Sequence, residues 1–250
     1  IIYLSITRGK VMEENWIDKV FKENYQFVRA LKNTKEKSIC VYRHKQLGKY
    51  IVKRSFVGTG EVYYILRKLN HPNISQIYDV IRDNDKIIVL EEFINGETIS
   101  EYLESDLFSP DGVVKIISSL CDALDFLHSH KIIHKDIKPE NVMIDNNGNV
   151  KLIDFDSSRV YKPFKSNDTV FMGTIGYAPP EQYGMNCTDE RSDIYALGVL
   201  MNVMLTGKVP ESKLYDGKFR KIIEKCTQTV PNNRYQNVKQ IKRVLKLIKY

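Results

Sequence analysis

The chain has 250 residues, 42% of them hydrophobic and 28% charged, a balance that supports a folded core and excludes wholesale disorder. Its length fits one large domain or two lobes, and its longest apolar runs, such as Ile87-Ile88-Val89-Leu90, are too short to cross a bilayer. The formal net charge of +7 is uneven: residues 213–250 carry eleven Lys/Arg against two Asp/Glu, so the positive excess belongs to the C-terminal segment.

Residues 1–11 precede Met12 and read as an appended stretch or a short strand; they lack the charged start and cleavage site of a signal peptide. Polar, helix-compatible residues follow, and 1–24 are taken as an N-terminal extension. Short runs rich in β-branched and aromatic residues predict strands over 27–31, 39–42 and 50–53, separated by turns at Asn33-Thr34-Lys35 and Gln46-Leu47-Gly48. A helix is predicted over 60–69, with Val62, Ile65, Leu66 and Leu69 on one face, ending before His71-Pro72-Asn73. Strands over 77–81 and 87–90 follow, joined by the polar turn Asp83-Asn84-Asp85.

From Gly96 the period becomes helical, at 100–103, 113–128, 194–205, 219–226 and 238–248. The break at Ile94-Asn95-Gly96 marks a boundary, giving a first lobe over 25–94 and a second over 95–250. The last helix carries Lys239, Lys242, Arg243, Lys246 and Lys249 between its apolar positions. Such a helix can bind anionic lipid or nucleic acid; the preferred reading is a helix packed on the domain with a solvated cationic face, so no nucleic-acid partner is expected and membrane contact is the lesser alternative. Cys40, Cys121, Cys187 and Cys226 show no ligand-like spacing, which argues against a zinc site or a disulfide framework and for a reducing, cytoplasmic setting.

The most informative segment is His134-Lys135-Asp136-Ile137-Lys138-Pro139-Glu140-Asn141, followed thirteen residues after its asparagine by Asp154-Phe155-Asp156. A carboxylate, an ammonium, an amide and a second carboxylate at this spacing can orient a hydroxyl, grip ATP phosphates and hold two magnesium ions. Apart from their order, these are ordinary surface residue types.

With Gly173-Thr174-Ile175-Gly176-Tyr177-Ala178-Pro179-Pro180-Glu181-Gln182-Tyr183 downstream, the chain resembles the eukaryotic-type Ser/Thr protein kinases found in bacteria, over roughly residues 25–245. The resemblance implies an α+β bilobal fold, with a small antiparallel sheet lobe carrying one main helix and a larger, mainly helical lobe. It implies ATP and Mg²⁺, with Mn²⁺ as a possible substitute, and a protein substrate with a Ser or Thr acceptor. By the same resemblance Asp136 is the catalytic base, Lys138 steadies the γ-phosphate and Asn141 holds one metal. Asp154 holds metal too, and Lys53 contacts the α- and β-phosphates. Glu61 is the candidate partner of Lys53, although the usual count back from Pro72 reaches Val62. Leu90 limits access behind the adenine, the backbones of Glu91 and Phe93 bond the base, Glu97 reaches the ribose, and Met143 lines the nucleotide. Thr174 bridges Asp136 and Lys138, Glu181 pairs with Arg234, and Asp193 holds the catalytic-loop backbone. Ser157, Ser158, Ser166 and Thr169 lie on the activation segment, with Thr169 the first choice for autophosphorylation.

Three positions depart from the family pattern. No glycine occurs between Lys10 and Leu47, so the turn Leu31-Lys32-Asn33-Thr34-Lys35-Glu36-Lys37 lacks the residues that let backbone amides approach phosphates, and weak ATP affinity is expected. Lys135 replaces arginine and loses its bidentate fork. Asp156 replaces glycine, which predicts a restricted backbone there. These departures keep a pseudokinase, a binding or scaffold module, as the alternative function. A small-molecule phosphotransferase of the aminoglycoside-kinase type fits less well, because Lys138 and Ala178-Pro179-Pro180-Glu181 have no counterpart in it.

Overall fold

The computed structural model describes residues 16–161, 174, 176–183 and 188–248, with the backbone alone for 16–18. They fall into two compact units: residues up to Thr59 together with Ile77–Phe93, and Gly60–Gln76 together with the chain from Ile94 onward. The final crossing falls between Phe93 and Ile94. The stretch predicted as a helix over 60–69 lies in the second unit.

In the first unit, helix α1 (Trp16–Asn24) precedes strands β1 (Tyr25–Asn33), β2 (Lys37–His44), β3 (Tyr50–Val57), β4 (Ile77–Asp83) and β5 (Lys86–Glu92). They form an antiparallel sheet in the order β1-β2-β3-β5-β4. Each predicted strand is present and longer than expected. The β2–β3 turn needs Gly48 at a φ of 67°, and Asn84 takes the left-handed conformation, φ 52°, in the tight β4–β5 turn.

Alternation along β3 and β5 gives this sheet two different faces. One carries Ile51, Ile88 and Leu90, packed with Phe21 of α1 and Tyr25; Phe21 and Tyr25 stack with centroids 4.8 Å apart. The other buries Val41, Val52, Arg54, Ile87, Val89 and Glu91. The stretch read as an N-terminal extension therefore ends in a helix that closes one face of the sheet.

The second unit opens with α2 (Glu61–Leu66), shorter than the predicted 60–69. Gly60, at φ 65°, starts it from a left-handed turn, and Lys68 and Leu69 already bond three residues back, to Ile65 and Leu66, as the helix tightens and stops. Strand β6 (Gly96–Thr98) leads into α3 (Ile99–Ser105) and α4 (Pro110–Ser129). Thr98 and Glu101 form a capping box, and Ser109 caps α4 with Pro110 in its first turn. Helix α4 buries Val113, Ile116, Ile117, Leu120, Leu124 and Leu127 at helical spacing. Each such side chain contributes roughly 1.5–3 kcal/mol on burial.

Short strands β7 (Ile132–Ile133), β8 (Val142–Asp145), β9 (Val150–Leu152) and β10 (Arg159–Val160) follow, then α5 (Glu190–Thr206), α6 (Arg220–Cys226) and α7 (Val238–Leu245). Strands β6, β8 and β9 form one antiparallel sheet, and β7 pairs with β10. Gly96 is required there, since a Cβ would lie 2.1 Å from the Ile144 carbonyl oxygen. Helix α5 is buried on nearly every side and α6 packs against it closely enough that a Cβ on Gly198 would meet Cys226.

Helix α7 buries Val238, Ile241 and Leu245, while Lys242 bonds Asp122 and Lys239 sits 3.3 Å from Asp125, both on α4. Two of its cations thus face carboxylates of the domain, as a packed final helix requires. No helix among the described residues is long and apolar enough to cross a membrane. Burial pushes the Cys121 thiol up to about 12 and raises Cys226 as well, so both stay protonated. Cys187, Ser166 and Thr169 lie outside the described residues.

Candidate active site

The loop between β7 and β8 carries the first group of candidate residues and is fixed from below by one carboxylate. Asp193, fully buried in the first turn of α5, accepts the backbone N–H groups of His134 at 2.9 Å and Lys135 at 2.8 Å, and lies 2.8 Å from His128 Nε2. Burial alone would raise its pKa, but the His128 hydrogen bond, with the nearby His128 and His134 rings and the His134 N–H, outweighs burial and holds the carboxyl below its usual value. Lys135 takes a left-handed φ of 70°, and its carbonyl accepts from Gln182 Nε2 at 3.1 Å. Ile137, fully buried, anchors the loop between the two polar positions that flank it.

Above that support the polar groups converge. Thr174 Oγ1 donates to Asp136 Oδ1 at 2.7 Å and accepts from Lys138 Nζ at 2.7 Å. Lys138 Nζ is also 3.0 Å from Asp136 Oδ2. Asn141, on a single 3₁₀ turn of Pro139–Asn141, donates from Nδ2 to Asp136 Oδ2 at 2.9 Å and to the Asp136 carbonyl at 2.8 Å. Those bonds use the amide N–H groups and so orient the amide oxygen as an acceptor. The backbone continues the frame, the Ile153 N–H donating to the Asn141 carbonyl at 2.9 Å, which ties the approach to Asp154 to the same turn.

Asp154 itself sits at φ 61°, a left-handed position for a non-glycine residue, and accepts the Asp156 N–H at 3.3 Å. Phe155, 1% exposed, meets the His134 ring edge-on with centroids 5.1 Å apart. Asp156 is not among the non-glycine residues of positive φ, whereas Asp154 is. An oxygen-donor pair of Asn141 and Asp154 suits a magnesium ion that is otherwise held by phosphates and water. Among the described residues no cluster of three or more His, Cys, Asp or Glu offers a separate metal site.

A second support lies deeper. Arg234 donates to Glu181 from Nη1 at 2.6 Å and Nη2 at 2.8 Å, and Ser192 Oγ donates to Glu181 Oε1 at 2.9 Å. This pair was expected as scaffold, and its burial agrees.

The remaining candidates divide between the units. Glu97 is exposed on β6 and Met143 half-buried on β8, in the second unit, and Glu61 is the exposed first residue of α2. In the first unit, Phe93 lies with its ring centroid 5.3 Å from that of Tyr50. Lys53 and Leu90 are register partners on the face covered by α1, and the Lys53 ammonium stands 4.5 Å from the Phe21 ring centroid. Arg54, on the opposite face and 3% exposed, donates to Glu91 Oε1 from Nε at 3.1 Å and Nη2 at 3.0 Å. The sequence reading gave Glu91 a role through its backbone alone and passed over Arg54. Its only signal was strand alternation, which places neighbours on opposite faces.

A cavity of about 360 Å³ in the second unit is lined by His128, Lys131, Tyr161, Asp189, Arg191 and Gln236, among others. Asp136, Lys138, Asn141 and Asp154 do not line it, so it is not the place where these groups act.

Residues 25–249 match the protein kinase domain family. The chain is 36% identical over 150 residues to the probable serine/threonine-protein kinase PknB of Lactococcus lactis, covering 59% of this chain and 24% of that protein. It is 34% identical over 152 residues to the serine/threonine-protein kinase PrkC of Bacillus subtilis, 60% of this chain and 23% of the relative. To the Aurora kinase of Saccharomyces cerevisiae it is 32% identical over 262 residues, 98% of this chain and 70% of the relative. It spans about a quarter of the length of the two bacterial relatives. By this match, and in keeping with a five-stranded antiparallel sheet followed by a mainly helical unit, the chain belongs to the protein kinase domain family.

Proposed function

We propose that the chain is an ATP-dependent protein kinase that transfers the γ-phosphoryl group to Ser or Thr hydroxyls of a protein. The observation that carries this reading is Thr174, which joins the Asp136 carboxylate to the Lys138 ammonium by two hydrogen bonds of 2.7 Å. The three groups are set before any substrate arrives, so little reorganisation is left for the reaction. The acceptor oxygen bonds the γ-phosphorus as the bridging bond to the β-phosphate breaks; the hydroxyl proton passes to Asp136, and ADP leaves. Lys138 faces the charge on the transferring group. Asn141 and Asp154 are the residues that would hold magnesium, which when bound neutralises charge on the phosphate oxygens. The relatives named as Ser/Thr kinases support a protein hydroxyl as acceptor.

The first unit supplies a strand cation for the phosphates. Sequence spacing assigned it to Lys53, with Glu61 as partner. The neighbour of Lys53, Arg54, is 3% exposed and already bonded to Glu91 on the opposite face. We therefore keep the phosphate role on Lys53 and read Arg54 and Glu91 as a structural pair. The β1–β2 hairpin contributes little to phosphate binding. Its tip is fastened by Thr34, which exchanges bonds with the Lys37 N–H and carbonyl, and no glycine allows closer approach. Weak nucleotide affinity follows. That hairpin is also the observation that favours the second reading, a pseudokinase serving as a binding module.

The test is transfer of radiolabelled γ-phosphate to a panel of generic protein acceptors with Mg²⁺ or Mn²⁺, followed by identification of the labelled residue type. Label on Ser or Thr supports the proposal. Nucleotide binding without transfer under every condition would establish the pseudokinase reading.

A further inference from the structure

The carboxylate that replaces glycine after Phe155 has a partner far away in the sequence. Tyr63, in α2 and 2% exposed, donates its hydroxyl proton to Asp156 Oδ1 at 2.5 Å. Asp156 donates its backbone N–H to Asp154 Oδ1 at 3.3 Å. A continuous polar chain therefore runs from α2 to the carboxylate assigned to metal binding. Glycine at 156 could supply the N–H, but it offers no acceptor to a phenol that burial obliges to find one. Short O–H···O⁻ bonds are among the strong ones and fix direction as well as distance.

The backbone explains why such a clamp is needed. Asp154 occupies the left-handed region at φ 61°, a conformation that persists in a non-glycine residue only where its surroundings over-determine it. Three restraints surround it. Phe155 is wedged with its ring edge-on to His134 at 5.1 Å and to Tyr63 at 6.4 Å. Ser158 donates its N–H to the Phe155 carbonyl at 3.1 Å and its hydroxyl to the His134 carbonyl at 3.1 Å. The Tyr63–Asp156 bond is the third, and it joins the Phe155–Tyr63 ring contact in reaching α2.

We propose that Tyr63 is a positioning residue: acting through Asp156, it holds Asp154 in its metal-binding geometry and fixes the loop that a glycine would leave mobile. The metal part of this inference rests on the kinase reading; the clamp itself does not. Its loss is expected to raise the magnesium requirement before it affects anything remote from Asp154.

The experiment compares the full chain with Tyr63→Phe, Asp156→Gly, Asp156→Asn and the Tyr63→Phe/Asp156→Gly double variant, by two readouts. The first is amide hydrogen exchange across residues 154–158 without metal or nucleotide. The second is the Mg²⁺ concentration giving half-maximal phosphoryl transfer, measured together with kcat. Tyr63→Phe and Asp156→Gly should each speed exchange in that segment and raise the magnesium requirement about 10-fold. The double variant should go no more than about 2-fold beyond either single one, since both remove one interaction. Asp156→Asn keeps an acceptor oxygen and should stay near the parent protein. Unchanged exchange and magnesium response in the single variants, or fully additive effects in the double, would overturn the proposal. If the parent protein transfers no phosphoryl group, the kinase reading fails while the exchange comparison still decides the clamp. If Tyr63→Phe does not fold, the half-buried Asp156→Gly change decides it.

Discussion

Arg54 and Glu91 meet on the buried face of the first unit's sheet, where two strand neighbours displaced by one diagonal step share hydrogen bonds of 3.1 and 3.0 Å. Lys53, one residue earlier, is on the other face beside Phe21. Replacing both members of the buried pair, Arg54→Met with Glu91→Leu, avoids stranding a charge and should preserve the fold. That double variant should keep ATP affinity within about 3-fold of the parent, while Lys53→Met should lose roughly 10-fold or more. Nucleotide titration by calorimetry checks this. The reverse ranking would move the role to Arg54.

Thr174 offers a sharper probe of the catalytic loop, because valine keeps its shape and removes only the hydroxyl. Losing hydrogen bonds to charged groups costs about 1.5–3 kcal/mol each, so Thr174→Val should lower kcat roughly 10- to 100-fold. Thr174→Ser should retain most of it. Steady-state kinetics with ATP at saturation separates the two, and equal rates for valine and serine would remove Thr174 from the assembly.

Glu181 and Arg234 carry stability rather than chemistry. Arg234→Met leaves Glu181 buried without its guanidinium and should cost about 3–5 kcal/mol in urea unfolding. An Arg234→Met/Glu181→Leu chain should recover much of that loss. A single replacement that is neutral would show the pair to be dispensable.

Asp193 gives the fold an acid limit. Its carboxyl is held below the ordinary value in the folded chain, so its contribution is fully present above the unfolded aspartate pKa of about 3.9 and is lost as pH falls through the lower folded value. Unfolding curves taken across that range should show a steeper acid loss for the parent chain than for Asp193→Asn, which is less stable at neutral pH and has no proton to take up. Parallel pH profiles for the two would count against the assignment.

Local chemistry made much of the second unit legible. Asp136, Lys138 and Asn141 lie within one short loop, and their order specifies a geometry that little else can alter. Asp193 and Glu181 were equally readable, since the first holds that loop through backbone N–H groups and the second makes a single long-range pair with Arg234. The face of β3 was harder. A strand has a period of two, so Lys53 and Arg54 lie on opposite faces, and the element that covers the Lys53 face, α1, lies in a stretch read as an extension. The Tyr63–Asp156 bond joins residues 93 positions apart, and no local pattern points from one to the other. Helix α2 begins as expected, after the left-handed Gly60 with Glu61 as its exposed first residue, but ends three residues early.

Phosphoryl transfer from ATP is the proposed work of Asp136 and Asp154. Initial rates of γ-phosphate transfer to a protein acceptor, measured for the parent chain, Asp136→Ala and Asp154→Ala in parallel, test it most directly. Ser/Thr phosphorylation by the parent is expected, with a loss of about 100- to 10,000-fold in kcat for Asp136→Ala and a comparable loss for Asp154→Ala. Equal transfer by all three proteins would contradict it.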